Sequence, residues 1–202
     1  MAQTAAHAQH EHHEHHVDQE GLKVLGFWIF LVTDCLLFGT LFATYVVLRT
    51  HTDGGPIGKE IFEMPGVIAE TFILLTSSFT SGLAMLEMHK GNRKGLIVWL
   101  IVTAILGLAF VGLEINEFAK LAADGATIYR SAFLSSFFTL VGTHGLHVSV
   151  GIVWMIGIMI QLSRHGITPV TTRKVTIIGL YWHFLDVVWI FLFTVVYLMG
   201  VM

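Results

Sequence analysis

The sequence predicts an all-α membrane protein, a bundle of five transmembrane helices. Three observations carry this. Of 202 residues, 54% are hydrophobic and only 12% charged, too few charges to cover the surface of a soluble domain. The mean hydropathy is +0.74, and most charges fall in short segments between long apolar runs. Period-two alternation is absent and the runs are too long for barrel strands, so each should be a helix whose backbone groups pair within the segment.

Crossing a hydrocarbon core roughly 30 Å thick takes about 20 mainly apolar residues. Five stretches qualify, at about 24–48, 66–88, 96–118, 132–161 and 175–200. Gly54, Gly55 and Pro56 break the first link, Gly91 and Asn92 the second, and Pro169 falls in the fourth. The domain proper is read as residues 23–202. Ahead of it, residues 1–22 form a His-rich tail in which His7, His10, His12, His13, His15 and His16 alternate with Glu, Gln and Ala. With no apolar period this tail should be disordered and cytoplasmic. A secretory signal would carry a basic start and a short apolar stretch, whereas the first span here is long and lacks a cleavage site. Loose chelation of divalent metal by the tail's imidazoles needs no physiological role.

Basic residues in the links set the orientation. With the N-terminus inside, the cytoplasmic segments hold Lys23, Lys90, Arg93, Lys94, Arg164, Arg173 and Lys174, against Arg49, Lys59, Lys120 and Arg130 outside. That bias predicts a cytoplasmic N-terminus and a periplasmic C-terminus. Trp28 and Trp99 near inner ends, with Tyr45 and Tyr197 near outer ends, suit interfacial anchoring. The one cysteine, Cys35, excludes an intramolecular disulfide and any Cys-based metal cage, and reads as a small buried residue.

Ionisable side chains inside spans are costly and mark function or specific helix contacts. This chain has Asp34, Glu70, Glu114, Glu117, His144, His147, His183 and Asp186. At about 1.5 Å rise per residue, Asp34 and Asp186 fall about 15–17 Å above the inner end, near His183 at about 12 Å and His147 at about 21 Å. Glu70, Glu114 and His144 fall together at about 25–27 Å, with Glu117 slightly beyond. Two layers follow, one near the midplane and one in the outer leaflet. His183 and Asp186 share a helical face and can pair. Glu114 and Glu117 also share one, and two close carboxylates in low dielectric cannot both ionise cheaply. Such layers suit a proton or ion path; the plainer role is hydrogen bonding that fixes helix packing. Ser78 with Gly82, and Gly145 with Ser149, match the small-residue spacing of close helix contacts.

No cofactor chemistry is assigned to the chain. Haem ligation needs two imidazoles at matching depth on different helices, and His147 and His183 differ by roughly 9 Å in height. There is no C-x-x-C-H, no C-x-x-C and no phosphate-binding glycine loop. No basic stripe suggests nucleic acid. An independent transporter would show internal repeats and broken helices at its site, and neither is evident. No residue is therefore assigned as catalytic, cofactor-binding or metal-binding.

Two strings carry a family resemblance. Gly142-Thr143-His144-Gly145-Leu146-His147-Val148 resembles the G-x-H-G-L-H-V signature of haem-copper oxidase subunit III. Tyr181-Trp182-His183-Phe184-Leu185-Asp186-Val187-Val188-Trp189 resembles that family's W-H-F-x-D-V-V-W segment on the last helix. Asp34 stands where many cytochrome c oxidase relatives carry a buried Glu, and Glu114 and Glu117 match a helix where an acidic residue recurs. Larger members have seven helices; this chain has five. The short form, the His-rich tail and the run 54–63 look most like the cytochrome o ubiquinol oxidase branch, with a five-helix bacterial cytochrome c oxidase subunit as the rival.

The resemblance implies a non-catalytic subunit of a proton-pumping terminal oxidase in a bacterial inner membrane. It would bind no haem or copper itself, since those sit in subunit I. Subunits I, II and IV would be its partners, structural phospholipid would occupy a cleft, and its helices would support proton delivery to subunit I.

Overall fold

The computed structural model describes residues 2–52, 54 and 58–201, giving the backbone alone for 2–21, 23, 59 and 60. The described residues are helical apart from short links. Helix α1 runs Ala2–Leu48, α2 Gly58–Ile61, α3 Met64–His89, α4 Arg93–Ala123, α5 Ala132–His165 and α6 Pro169–Leu192. A π-helical segment, Phe193–Leu198, and a last turn, α7 Met199–Val201, continue α6. Among the described residues, five stretches are long and apolar enough to cross a membrane: Val24–Leu48, Met64–His89, Arg93–Ala123, Ala132–His165 and Pro169–Val201. The five expected spans are all present. The last four extend past their sequence-based limits because polar first and last turns continue a helix beyond its apolar run.

The chain divides into two compact units, Met1–Gly39 and Thr40–Met202. The first is a continuous stretch of α1. Helix continues through the His-rich segment, where composition alone predicts no structure; Ala, Gln and Glu favour helix, and no Gly or Pro interrupts them before Gly21. Asp34 lies in this unit. Cys35 is exposed, not the buried residue its apolar surroundings suggest, because an apolar span turns much of its apolar surface outward.

In the second unit α3, α4, α5 and α6 form a closed ring of packed pairs, α3 on α4, α4 on α5, α5 on α6 and α6 back on α3. Their ends are written in capping chemistry. After α3, Gly91 at φ 72° lets the Gly91 and Asn92 amides turn back to the Met88 and Glu87 carbonyls, each at 3.0 Å. Gly125 at φ 78° does the same after α4, with the Gly125 and Ala126 amides bonding to Ala122 and Leu121. This left-handed closure satisfies carbonyls a helix otherwise leaves bare. Asn92 and Ser131 then cap α4 and α5 by accepting the Gly95 and Leu134 amides, both at 3.2 Å.

Pro169, expected within the fourth link, is instead the residue that opens α6. Proline in the first turn gives up an amide that would have had no partner there. Thr168 caps it in a reciprocal box with Thr171, the two amides bonding across at 3.2 and 2.7 Å. Thr168→Ala is expected to cost about 1 kcal/mol, read as a lower melting temperature of the solubilised protein. An unchanged midpoint would mean that packing alone holds this end.

Tyr45 and Tyr197 are not interfacial anchors. They are 1% and 0% exposed, packed with Phe62, Phe133 and Phe137, and Tyr45 Oη donates to the Val196 carbonyl at 3.4 Å. A buried phenol keeps its ring in the core when a carbonyl is in reach of its hydroxyl.

Candidate functional site

Helix α6 is fastened to α3 by two buried tryptophans seven residues apart. Trp182 Nε1–H donates to Ser77 Oγ and Trp189 Nε1–H to Thr71 Oγ1, each at 3.1 Å. The hydroxyls pass the interaction on, Ser77 to the Leu74 carbonyl and Thr71 to the Val67 carbonyl, each at 2.8 Å. The higher-numbered tryptophan meets the lower-numbered hydroxyl, so the two helices run antiparallel. Thr80 and Thr103 join α3 to α4 in the same way at 2.8 Å.

One residue along, Ser78 Oγ and His183 Nδ1 share a 2.8 Å hydrogen bond. Asp186 Oδ2 lies 3.8 Å from the same nitrogen, on the face that the three-residue spacing predicts. Asp186 is buried and the His183 side chain is 44% exposed, so this polar group opens on the outside of the ring. His147, expected in the same layer, turns its Nδ1 to the Thr143 carbonyl of its own helix at 2.7 Å. What ties that level of α5 to α6 is its backbone: Tyr181 Oη donates to the His147 carbonyl at 3.1 Å.

The expected outer layer is built around aromatic rings. His144 is wholly buried, stacked on Trp189 at 5.4 Å between ring centres and edge-on to Phe110 at 5.9 Å. Glu114, one turn beyond Phe110 on α4, presses against the α5 backbone at Gly145. A Cβ there would come within 2.5 and 2.6 Å of the two Glu114 oxygens, so glycine at this position makes the approach possible. Glu70 and Glu114 are each 3% exposed; both Glu114 oxygens and Glu70 Oε2 lack a hydrogen-bond partner among the described residues. Glu117 is half-buried, with Tyr197 Oη reaching its Oε2 at 3.5 Å, the outer limit of hydrogen bonding. The three carboxyl groups and the Tyr197 hydroxyl lie within one another's electrostatic reach. The π-helical stretch widens the helix where Tyr197 meets Glu117; such local widening recurs at functional sites.

A cleft of about 530 Å³ runs between α3 and α4 beside these groups, lined by Val67, Glu70, Leu113, Asn116, Glu117 and Lys120 among others. At its polar end Lys120 Nζ lies 3.4 Å from Glu63 Oε2, joining the start of α3 to α4. Both side chains are exposed, so Lys120→Ala is expected to change stability by less than about 1 kcal/mol. A larger loss in a thermal melt would show that Lys120 also acts on the carboxylates deeper in.

The structure thus gathers Glu70, Glu114 and Glu117 into one group with His144 beside it, and His183 with Asp186 into another. Asp34 belongs to the first unit of α1. Sequence reasoning missed Thr71, Ser77 and Tyr197 as site-forming residues, and used Ser78 only as a small residue. The available signal was the buried tryptophan: each indole N–H needs an acceptor, and α3 offers a run of hydroxyls from Thr76 to Ser81 besides Thr71. Gly82 meets nothing within 4 Å of a Cβ, so the expected close approach at Ser78 and Gly82 does not occur; Gly107, Gly145 and Gly151 provide it.

A family model described as cytochrome c oxidase subunit III matches residues 3–201. A Pseudomonas aeruginosa protein named cytochrome bo(3) ubiquinol oxidase subunit 3 is 58% identical over 183 residues, 91% of this chain and 88% of the relative. Quinol oxidase subunit 3 of Bacillus spizizenii is 56% identical over 179 residues, 89% of this chain and 88% of its own length. A probable quinol oxidase subunit 3 of Staphylococcus saprophyticus is 49% identical over 180 residues, 89% of this chain and 90% of the relative. With the match spanning nearly every residue and both motif helices packed together in the ring, the chain belongs to the cytochrome c oxidase subunit III family.

Proposed function

We propose that this chain is subunit III of a proton-pumping ubiquinol oxidase in a bacterial inner membrane. The observation that carries the reading is the identity of 49–58% to proteins named as quinol oxidase subunit 3, across about nine-tenths of the chain. The complex would oxidise ubiquinol, reduce oxygen to water and move protons across the membrane. Haem and copper would be held by subunit I, with subunits II and IV and membrane phospholipid as further partners. This chain would stabilise subunit I and support proton delivery to it. An odd number of spans puts the termini on opposite sides, and the excess of Lys and Arg in alternate links supports an N-terminus inside.

Gentle solubilisation and pull-down of the chain test this. Haem bands in a reduced-minus-oxidised spectrum, with ubiquinol-driven oxygen uptake in the same preparation, are the expected result. Uptake driven only by reduced cytochrome c would move the chain to the cytochrome c oxidase branch. Recovery without a haem-bearing partner would overturn the oxidase reading.

A further inference from the structure

We propose that Glu70, Glu114 and Glu117 form a proton-exchanging carboxyl cluster that communicates with the aqueous phase through the cleft between α3 and α4. Its part in turnover rests on the oxidase reading, while its existence does not. Three features of the second unit lead here. Glu114 has neither oxygen hydrogen-bonded among the described residues and lies at 3% exposure against the α5 backbone. Glu70, equally buried and with Oε2 unpartnered, lines the cleft directly, as does Glu117. The cleft's far end is marked by Glu63, Lys120 and Asp124, all exposed residues.

Three carboxyl groups within one another's field, in a medium poor in water, cannot all carry charge. The groups facing them do not supply the missing cations. Tyr197 from the terminal helix and Asn116 from α4 are neutral polar groups. His144 from α5 is enclosed between Phe110 and Trp189. Lys120, which lines the same cleft, is engaged with Glu63 at the polar end. Nor do the carboxylates converge as a metal cage. The remaining way to neutralise them is protons, shared among the three groups. Glu70 and Glu117 give those protons a route. A water molecule in the cleft can deliver a proton to a Glu70 or Glu117 oxygen and later take one back, while Glu114 forms the inner end of the group. A structural cluster meant only to lock helices would have its oxygens matched to donors, as Ser77, Thr71 and Thr103 are matched in the same bundle.

Infrared spectroscopy of the purified complex, with the buffer switched from H2O to D2O, tests the cluster. The expected result is a protonated-carboxyl C=O band that moves to lower frequency in D2O and is lost or reduced in Glu70→Gln and Glu114→Gln. Gly66 lines the cleft with open space around it, so Gly66→Phe should slow the D2O shift while leaving the band in place. The wild-type measurement needs no variant, so poor accumulation of a Gln variant leaves the test intact. A wild-type complex without such a band, a band that does not shift in D2O, or one unaltered in Glu70→Gln, Glu114→Gln and Glu117→Gln alike would overturn the proposal. Haem bands and oxygen uptake in the same preparation report on the oxidase reading separately.

Discussion

Replacing Trp189 by alanine should lower the stability of the protein by about 3–5 kcal/mol, the range for emptying a buried aromatic site. Trp189 is 1% exposed and touches three of the four ring helices or their continuation. It packs edge-on to Phe110 at 4.7 Å, stacks on His144, lies 6.1 Å from Tyr197 and donates to Thr71. Lipid tails are as apolar as the side chains, so burial from water does not drive helix association here. Close packing and interhelical hydrogen bonds do. A cavity at Trp189 removes dispersion contacts that no lipid can restore in the middle of the ring. Trp189→Phe keeps most of the ring and loses the N–H bond, so its cost should be far smaller, with the hydrogen bond itself worth about 0.6 kcal/mol on average in a membrane. The check is the melting temperature of the solubilised complex for both variants. An alanine variant no worse than the phenylalanine one would mean that the ring helices collapse around the gap.

The second large effect is expected at Gly107. A Cβ there would sit 2.7 Å from Trp182 Cη2, 3.0 Å from Cζ2 and 3.3 Å from Ile152 Cδ1. Trp182 cannot swing away: it is 1% exposed, tied to Ser77, and pressed from α5, where a Cβ on Gly151 would lie 3.3 Å from it. Gly107→Val should therefore cost about 1–3 kcal/mol by overpacking. Alanine at the same place gains up to about 1 kcal/mol of helix propensity, so its net effect is smaller and valine is the cleaner probe. Pairing Gly107→Val with Trp182→Leu should recover part of the loss, because the smaller side chain makes room for the added methyls. If the double variant falls below the wild type by the full sum of the two single losses, the two sites are independent and the contact is not the cause.

Apolar run length was enough to find the five helices, because a backbone in hydrocarbon has to satisfy its own hydrogen bonds and so reports itself as an uninterrupted stretch. A fixed rise per residue put Glu70, Glu114 and His144 at one expected level; the structure stacks His144 on Trp189 and presses Glu114 against Gly145. Rotation about each helix axis was not legible. Residues at one height can face partner helices, lipid or their own backbone, which is why His147 turned to Thr143, Cys35 faced outward, and Tyr45 and Tyr197 went into the core. Pro169 was placed in the fourth link by the limits of the apolar runs, whereas the Thr168 and Thr171 capping pair beside it starts the helix there. The carboxyl cluster and its cleft needed the ring of α3 to α6. Which groups share a low-dielectric space depends on how the helices are rotated and how closely Gly107, Gly145 and Gly151 let them approach. Composition and periodicity decide that a chain like this enters a membrane; side-chain fit between helices decides which of its buried charges meet.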